Sequence, residues 1–387
     1  MSAFPLQKNE RLLKILVLAW IVSLIFSIVV AETLAIAMGL LWLGLRRQQP
    51  RSCIALDRPI MVFFCLRLLT IATALSPAAS IMALRKIPFV LIFFPISHLA
   101  LHSGPSQVAA WLRLLVFAGM AASLLGLIEI MAIGLHRLES TTAGATTLAM
   151  FLTAGFTIAL ALQVHGILPS KKLPSSWSWA GIAVMLLALT LTYCRAPWGA
   201  ACLVGLCLLW RYARRYAFCL LVAVIVILAV IPSFRMRFEQ TQHAPQIMGD
   251  RTILWQQGWE LAQARPLLGY GPESFRLLFD QQHRLQDPRA GAWHNFILQL
   301  WIESGLSSVL ALCWILWEGL RLAKIGIGQT LQARAAAIAL CAGILTLLLA
   351  GSFGGLIGDP IIDMLFWGML GMLVAFQPRA ATLSGSR

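Results

Sequence analysis

The stretch Trp293-His294-Asn295-Phe296-Ile297-Leu298-Gln299-Leu300-Trp301-Ile302 ends a long polar interval and opens an apolar helix. About sixty residues before it, 233–293, hold seven arginines, no lysine and six acidic residues. Nearly all the rest of the chain is apolar. Residues are 59% hydrophobic and 12% charged, with a mean hydropathy of +0.82. That composition describes a polytopic membrane protein. Where such a chain leaves the lipid once, for a long loop ending in a titratable side chain, chemistry is expected in that loop.

Outward from His294, twelve apolar segments are read: about 12–30, 32–45, 59–75, 87–101, 108–134, 144–168, 177–194, 197–210, 217–232, 294–320, 335–351 and 362–377. The expectation is an all-α polytopic membrane protein of about twelve transmembrane helices with one large helical loop. It divides as 1–232 with nine helices, 233–293 as the loop domain, and 294–387 with three helices and a tail. The run Leu12 to Val30 exceeds a signal-peptide core and reads as a retained span. The pairs 12–30/32–45 and 177–194/197–210 have almost no linker, so a tight turn joins each.

Lysine and arginine set the orientation. Arg46, Arg47, Arg51 and Arg58, then Lys171 and Lys172, then Arg211, Arg214 and Arg215, then Arg321, Lys324 and Arg334 fall in alternate links. Both termini are therefore expected to be cytoplasmic and the loop 233–293 external. Arg85 and Lys86 are the exception, placed outside just before the fourth span. They either snorkel to the interface or bind an anion. The net charge of +15 is assigned to cytoplasmic links and anionic lipid headgroups, not to nucleic acid.

None of the eight cysteines lies in 233–293, so no disulfide framework holds the loop. Its arginines suit bidentate recognition of phosphate or carboxylate. Leu254, Trp255, Gly258, Trp259 and Ala262 form one helical stripe, to lie on the membrane or on the bundle. Pro266-Leu267-Leu268-Gly269-Tyr270-Gly271 reads as a turn, with Pro272 starting a second helix. His294, at the outer end of a span, has an imidazole suited to general-base work at neutral pH. Asn295 would orient it or touch substrate. Arg195, beside Pro197, sits at a hairpin tip or a break between half-helices. Glu303 and Arg67 are expected to pair inside the bundle. Asp359 and Asp363 stand without a third acidic partner, and no other carboxylate cluster or P-loop is present, so metal-dependent chemistry and nucleotide hydrolysis are disfavoured.

Arg251-Thr252-Ile253-Leu254-Trp255, the Pro266–Gly271 turn, and His294-Asn295 followed by Gly305 resemble the signature of the O-antigen ligase/polymerase superfamily. The span layout with one large loop matches too. The resemblance implies a metal-independent, GT-C-like glycosyltransferase of the bacterial inner membrane, with no cofactor and a periplasmic site. Its donor would be a glycan on undecaprenyl diphosphate. In the ligases the acceptor is a sugar hydroxyl of lipid A–core. The family's essential histidine falls on His294, its arginine after a mid-chain span on Arg195, and its loop arginine on Arg251 or Arg265. Arg85 and Lys86 would add charge at the diphosphate, and Asn295 would contact substrate. The polymerases' loop motif, an arginine with glycine eleven positions on, has no match in 233–293, which counts modestly against a polymerase. The alternatives are an O-antigen polymerase or protein O-oligosaccharyltransferase, and, from another class, a lipid-linked sugar transporter with Arg67 and Glu303 at a midplane site.

Overall fold

A computed structural model describes residues 4–47, 54–134, 138–139, 144–168, 175–230, 249–279, 285, 291–354 and 358–378. Arg51, Lys171, Lys172, Arg235, Arg237, Arg284 and Arg289 lie outside the described residues. The helices in chain order are α1 (Phe4–Ser23), α2 (Ile28–Arg46), α3 (Asp57–Ala72), α4 (Pro77–Met82), α5 (Ile87–Leu91), α6 (Phe93–Ser103), α7 (Pro105–Ile133) and α8 (Ala145–Val164). There follow α9 (Ser175–Leu191), α10 (Arg195–Tyr212), α11 (Arg214–Val230), α12 (Gly249–Ala264), α13 (Phe275–Leu278), α14 (Phe296–Ile327), α15 (Leu331–Gly351) and α16 (Pro360–Leu373). No strand occurs among the described residues.

The twelve apolar segments are largely helical where they are described, although 12–30 runs from the end of α1 through a turn into the start of α2. Among the described residues, six helical stretches are long and apolar enough to cross a bilayer: Ile28–Arg46, Pro77–Ser103, Pro105–Ile133, Ala145–Val164, Phe296–Ile327 and Leu331–Gly351. Ser175–Leu191 and Pro360–Phe376 are shorter apolar helices. The segment read as 87–101 is not one rod. It holds α5 and most of α6, and α4 and a 3-10 turn at Ala83–Lys86 lead into it.

The bundle is centred on α8, buried along almost its whole length and packed by α7, α9, α10 and α15. Such burial requires small neighbours, because apolar helices in lipid associate by close packing and not by expelling water. Helix α15 supplies them: Ala333, Ala335, Ala336, Ala337 and Ala339 are all buried. A Cβ on Gly343 would come within 3.0 Å of Ile158 on α8. The hydroxyls on α8 are satisfied within the bundle. Thr153 donates to the Pro197 carbonyl of α10 at 3.1 Å, and Thr346 of α15 donates to Thr157 at 3.2 Å.

The loop has its own apolar core, made of Leu254, Ala262, Tyr270, Phe275, Phe279, Leu285, Trp293, Leu298 and Ile302. Trp293 is fully buried at its centre, edge-on to Phe275 at 4.9 Å and Phe279 at 5.9 Å. The expected stripe on α12 faces the bundle: Leu254, Gly258 and Ala262 are buried and the helix packs on α14, while Trp259 is exposed. Gly258 sets that approach, since a Cβ there would lie 3.0 Å from both Leu298 and Trp293.

Two loop expectations are corrected. Pro272 does not start a helix; the helix that follows is only Phe275–Leu278, and the Pro272 carbonyl accepts the Ser80 hydroxyl at 2.9 Å. The segment 294–320 is not a continuous rod. Gly305 has φ 76 and ψ 167 inside α14, a break that leaves carbonyls without donors one turn on. The turn Pro266–Gly271 fills it. Tyr270 N–H donates to the Ile302 carbonyl at 2.8 Å and Gly271 N–H to the Glu303 carbonyl at 2.9 Å. Leu306 N–H returns a bond to the Pro266 carbonyl at 2.7 Å. The glycines are required by this contact. A Cβ on Gly305 would collide with the Leu267 carbonyl, and one on Gly269 with the Ile302 carbonyl.

Candidate active site

Five helices begin around one open cavity of about 700 Å³. Thr146 and Thr147 come from the first turn of α8, Arg195 from that of α10, and Arg251 from that of α12. His294 precedes α14 and Pro360 begins α16. Helix N-termini present unpaired N–H groups and the positive end of the helix dipole, so this convergence favours an anion. Asn295 and Asp359 cap two of the five, each accepting two backbone N–H groups.

Arg195 is the first residue of α10. Thr192 Oγ1 accepts the Cys194 N–H at 3.3 Å and helps turn the chain into that helix. Arg251 is half-buried. Burial, and then the charge of Arg195 facing it, push its guanidinium below the usual arginine range. An arginine starts high enough to stay charged all the same. Two cations held against each other this way are poised for a multiply charged anion.

His294 lies between two anchors. Behind it, Trp293 fills the loop core and its carbonyl accepts the Trp255 indole N–H at 3.1 Å. Ahead, Asn295 Oδ1 accepts Ile297 N–H and Leu298 N–H, both at 3.1 Å. Between them His294 takes φ 51. That is costly for a residue with a Cβ. Among the described residues the other non-glycine positive φ values belong to Tyr193, at 55, and Glu273, at 62. All three line this cavity.

Of the residues singled out from the sequence, Arg195, Arg251, His294 and Lys86 meet here. Three others are not among its lining residues. Arg265 is exposed outside the lining, with its guanidinium 4.8 Å above the Tyr270 ring. Arg85 is exposed and also off the lining. The side-chain Oδ1 of Asn295 caps α14, a structural use that the pairing with His294 in sequence concealed. The expected Arg67–Glu303 pair is present at 3.6 Å, and Glu303 also accepts from Gln299 at 3.0 Å.

Sequence reasoning missed Glu273 and Asp359 as cavity residues. Glu273 accepts a short bond from Lys86 Nζ. Asp359 accepts the Thr147 hydroxyl as well as its two cap amides. The Asp359-Pro360 pair was readable as an N-cap followed by proline at the first helical position. Nothing local marked Glu273. Among the described residues, no three His, Cys, Asp or Glu side chains gather where they could hold a metal.

The family model described as O-antigen ligase matches residues 180–314. Over that interval, about a third of its length, the chain is similar to the O-antigen ligase family. The matched interval contains Arg195, Arg251, Arg265, His294, Asn295 and Gly305, and leaves Lys86 and Asp359 outside it. No curated protein sequence matches the chain. The match supports, in general terms, glycosyl transfer of the ligase or polymerase kind, and the apolar helices support a multi-pass membrane protein.

Proposed function

We propose that this protein is a member of the O-antigen ligase superfamily and transfers a glycan en bloc from undecaprenyl diphosphate to a sugar hydroxyl of lipid A–core, on the periplasmic face of the inner membrane and without a metal. Both termini are then cytoplasmic, and the twelve apolar segments cross the bilayer in a GT-C-like bundle. What supports this reading is one juxtaposition: Arg195, Arg251, Lys86 and His294 line a single cavity on which five helix N-termini converge. A cationic cavity with one imidazole matches the two needs of the reaction.

The acceptor oxygen attacks the anomeric carbon and the bond from that carbon to the diphosphate oxygen breaks. His294 takes the proton from the attacking hydroxyl as its oxygen becomes bonded to carbon. The diphosphate leaves with the bonding electron pair, and its growing charge is met by Arg195 and Arg251. Attack opposite the diphosphate inverts the anomeric configuration. A site preorganised for the departing anion stabilises the transition state more than the bound donor, and that difference accelerates transfer.

The deciding experiment is reconstitution with purified undecaprenyl diphosphate glycan and three separate acceptors: rough lipopolysaccharide, a second glycan and a pilin peptide. Product on rough lipopolysaccharide alone is expected. Product on the glycan would make the protein a polymerase, and product on the peptide a protein O-oligosaccharyltransferase. Movement of donor across a bilayer without transfer would make it a transporter.

A further inference from the structure

A carboxylate inside a site built for an anion needs a reason. Asp359 has one, because it caps α16 and binds Thr147. Glu273 does not cap a helix. Its carboxylate is paired with Lys86 Nζ across 187 residues of sequence. The pair lines the reaction cavity and also a narrower cleft containing Arg67, Glu303, Asp363 and Trp367. It therefore stands at the partition between the two.

The backbone under Glu273 is tightly held. Tyr270 and Gly271 are bonded into the break of α14, Leu75 N–H binds the Tyr270 carbonyl at 3.0 Å, and Ser80 binds the Pro272 carbonyl. Glu273 itself keeps φ 62. With the backbone fixed in an unfavourable region, only side-chain rotation can move the carboxylate. Both partners are part-exposed, so the pair can open without desolvating either charge.

We propose that Glu273 is a placeholder counter-ion. In the empty site it neutralises Lys86, which would otherwise stand unpaired beside Arg195 and Arg251. A bound diphosphate carries more charge than one carboxylate and displaces it, so Lys86 becomes a third cation on the leaving group. After transfer, Glu273 reclaims Lys86 and promotes release of the spent carrier diphosphate. The proposal rests on the donor reading above. Its thermodynamic content is a competition: the apparent affinity for diphosphate is reduced by the fraction of sites in which Glu273 holds the lysine.

The test uses the full chain purified in detergent, with inorganic pyrophosphate as the probe in calorimetric titrations and the glycan donor in steady-state assays. Glu273→Gln should bind pyrophosphate on the order of five- to tenfold more tightly. Donor KM should fall and kcat should fall with it, as release slows. Glu273→Asn should behave alike, and asparagine tolerates a positive φ, so misfolding of the glutamine variant would not shelter the idea. In a Lys86→Ala background either substitution should give no gain. Unchanged or weaker binding by both neutral variants overturns the proposal, as does an equal gain without Lys86. Arg195→Ala and Arg251→Ala are the separating controls. If they weaken pyrophosphate binding while the Glu273 variants do not strengthen it, only the placeholder fails. If they leave it at wild-type strength, the donor site itself has been misplaced.

Discussion

Gly305→Ala tests whether the broken helix holds the site together. At φ 76 and ψ 167 the backbone is in a region that residues with a Cβ occupy at a cost of about 1–3 kcal/mol. Space is a second obstacle, because the added methyl would run into the Leu267 carbonyl, a backbone atom that cannot rotate away. One escape is to push the Pro266–Gly271 turn outward. That strains or breaks the bonds from Tyr270, Gly271 and Leu306, each worth about 0.5–1.5 kcal/mol net. The other escape is to straighten α14, which recovers helical bonds but leaves the turn amides without partners. Either route costs about 2–5 kcal/mol. The turn joins α12, which carries Arg251, to Glu273, so displacement reaches the cavity. A shift of about 1 Å in a positioned cation costs on the order of 10²-fold in rate. The assay pairs thermal unfolding in detergent with turnover on donor and rough lipopolysaccharide. Gly39→Ala on α2 is the control, since a Cβ there meets nothing within 4 Å and the helix should gain slightly. If Gly305→Ala matches wild type in both stability and turnover, the clip between turn and broken helix does not organise the site.

His294→Ala should lose transfer by about 10²–10⁴-fold while inserting and folding normally. His294→Gly should be equally inactive yet more stable than the alanine variant by about 1 kcal/mol, because glycine relieves the positive φ; equal melting curves would remove the strain argument, and near-normal ligation by either variant would remove the general base. Arg195→Lys should be impaired and Arg195→Ala more so, with the loss in donor use and not in acceptor affinity. Arg251→Ala should follow Arg195→Ala, whereas Arg265→Ala and Arg276→Ala, both exposed and off the cavity, should be mild; equal defects in all four alanine variants would reduce the loop to a diffuse basic surface. Transfer should survive EDTA, because the described residues gather no metal-ligand set; loss on chelation with recovery on adding Mg²⁺ would contradict the arginine-based account.

The helices were legible because their signal is local: long apolar runs separated by charged links. The break in α14 was not. Gly305 looks like an ordinary small residue within an apolar span, and what its missing side chain makes room for is the carbonyl of Leu267, far back in the chain. Its place in the motif marked it as required without saying for what. The choice between Arg251 and Arg265 is different, because the sequence contained an unused clue. Fourteen residues along a helix separate them by about 21 Å. One diphosphate could not be held by both. Since Arg251 meets Arg195 in the cavity, Arg265 had to lie elsewhere, and its guanidinium covers Tyr270. Glu273 was invisible for a third reason. Its role depends on a backbone dihedral and on Lys86, and neither leaves a pattern in a window of sequence.

The three strained residues tie these observations together. Tyr193, Glu273 and His294 come from three separate turns, and each turn is fixed on both sides by structural bonds: Thr192 and α10, the α14 break and Ser80, Trp293 and Asn295. At about 1–3 kcal/mol apiece, the strain approaches the net stability of many domains, about 5–15 kcal/mol. A slight change in any of the turns, or a glycine, would relieve it. What the positive φ maintains is the direction in which a side chain leaves its turn. All three residues line the same cavity, where the cations are. The loop core, the broken helix and the caps thus act mechanically as one unit. They hold unfavourable backbone in place so that side chains from distant parts of the chain converge on one anion-sized space.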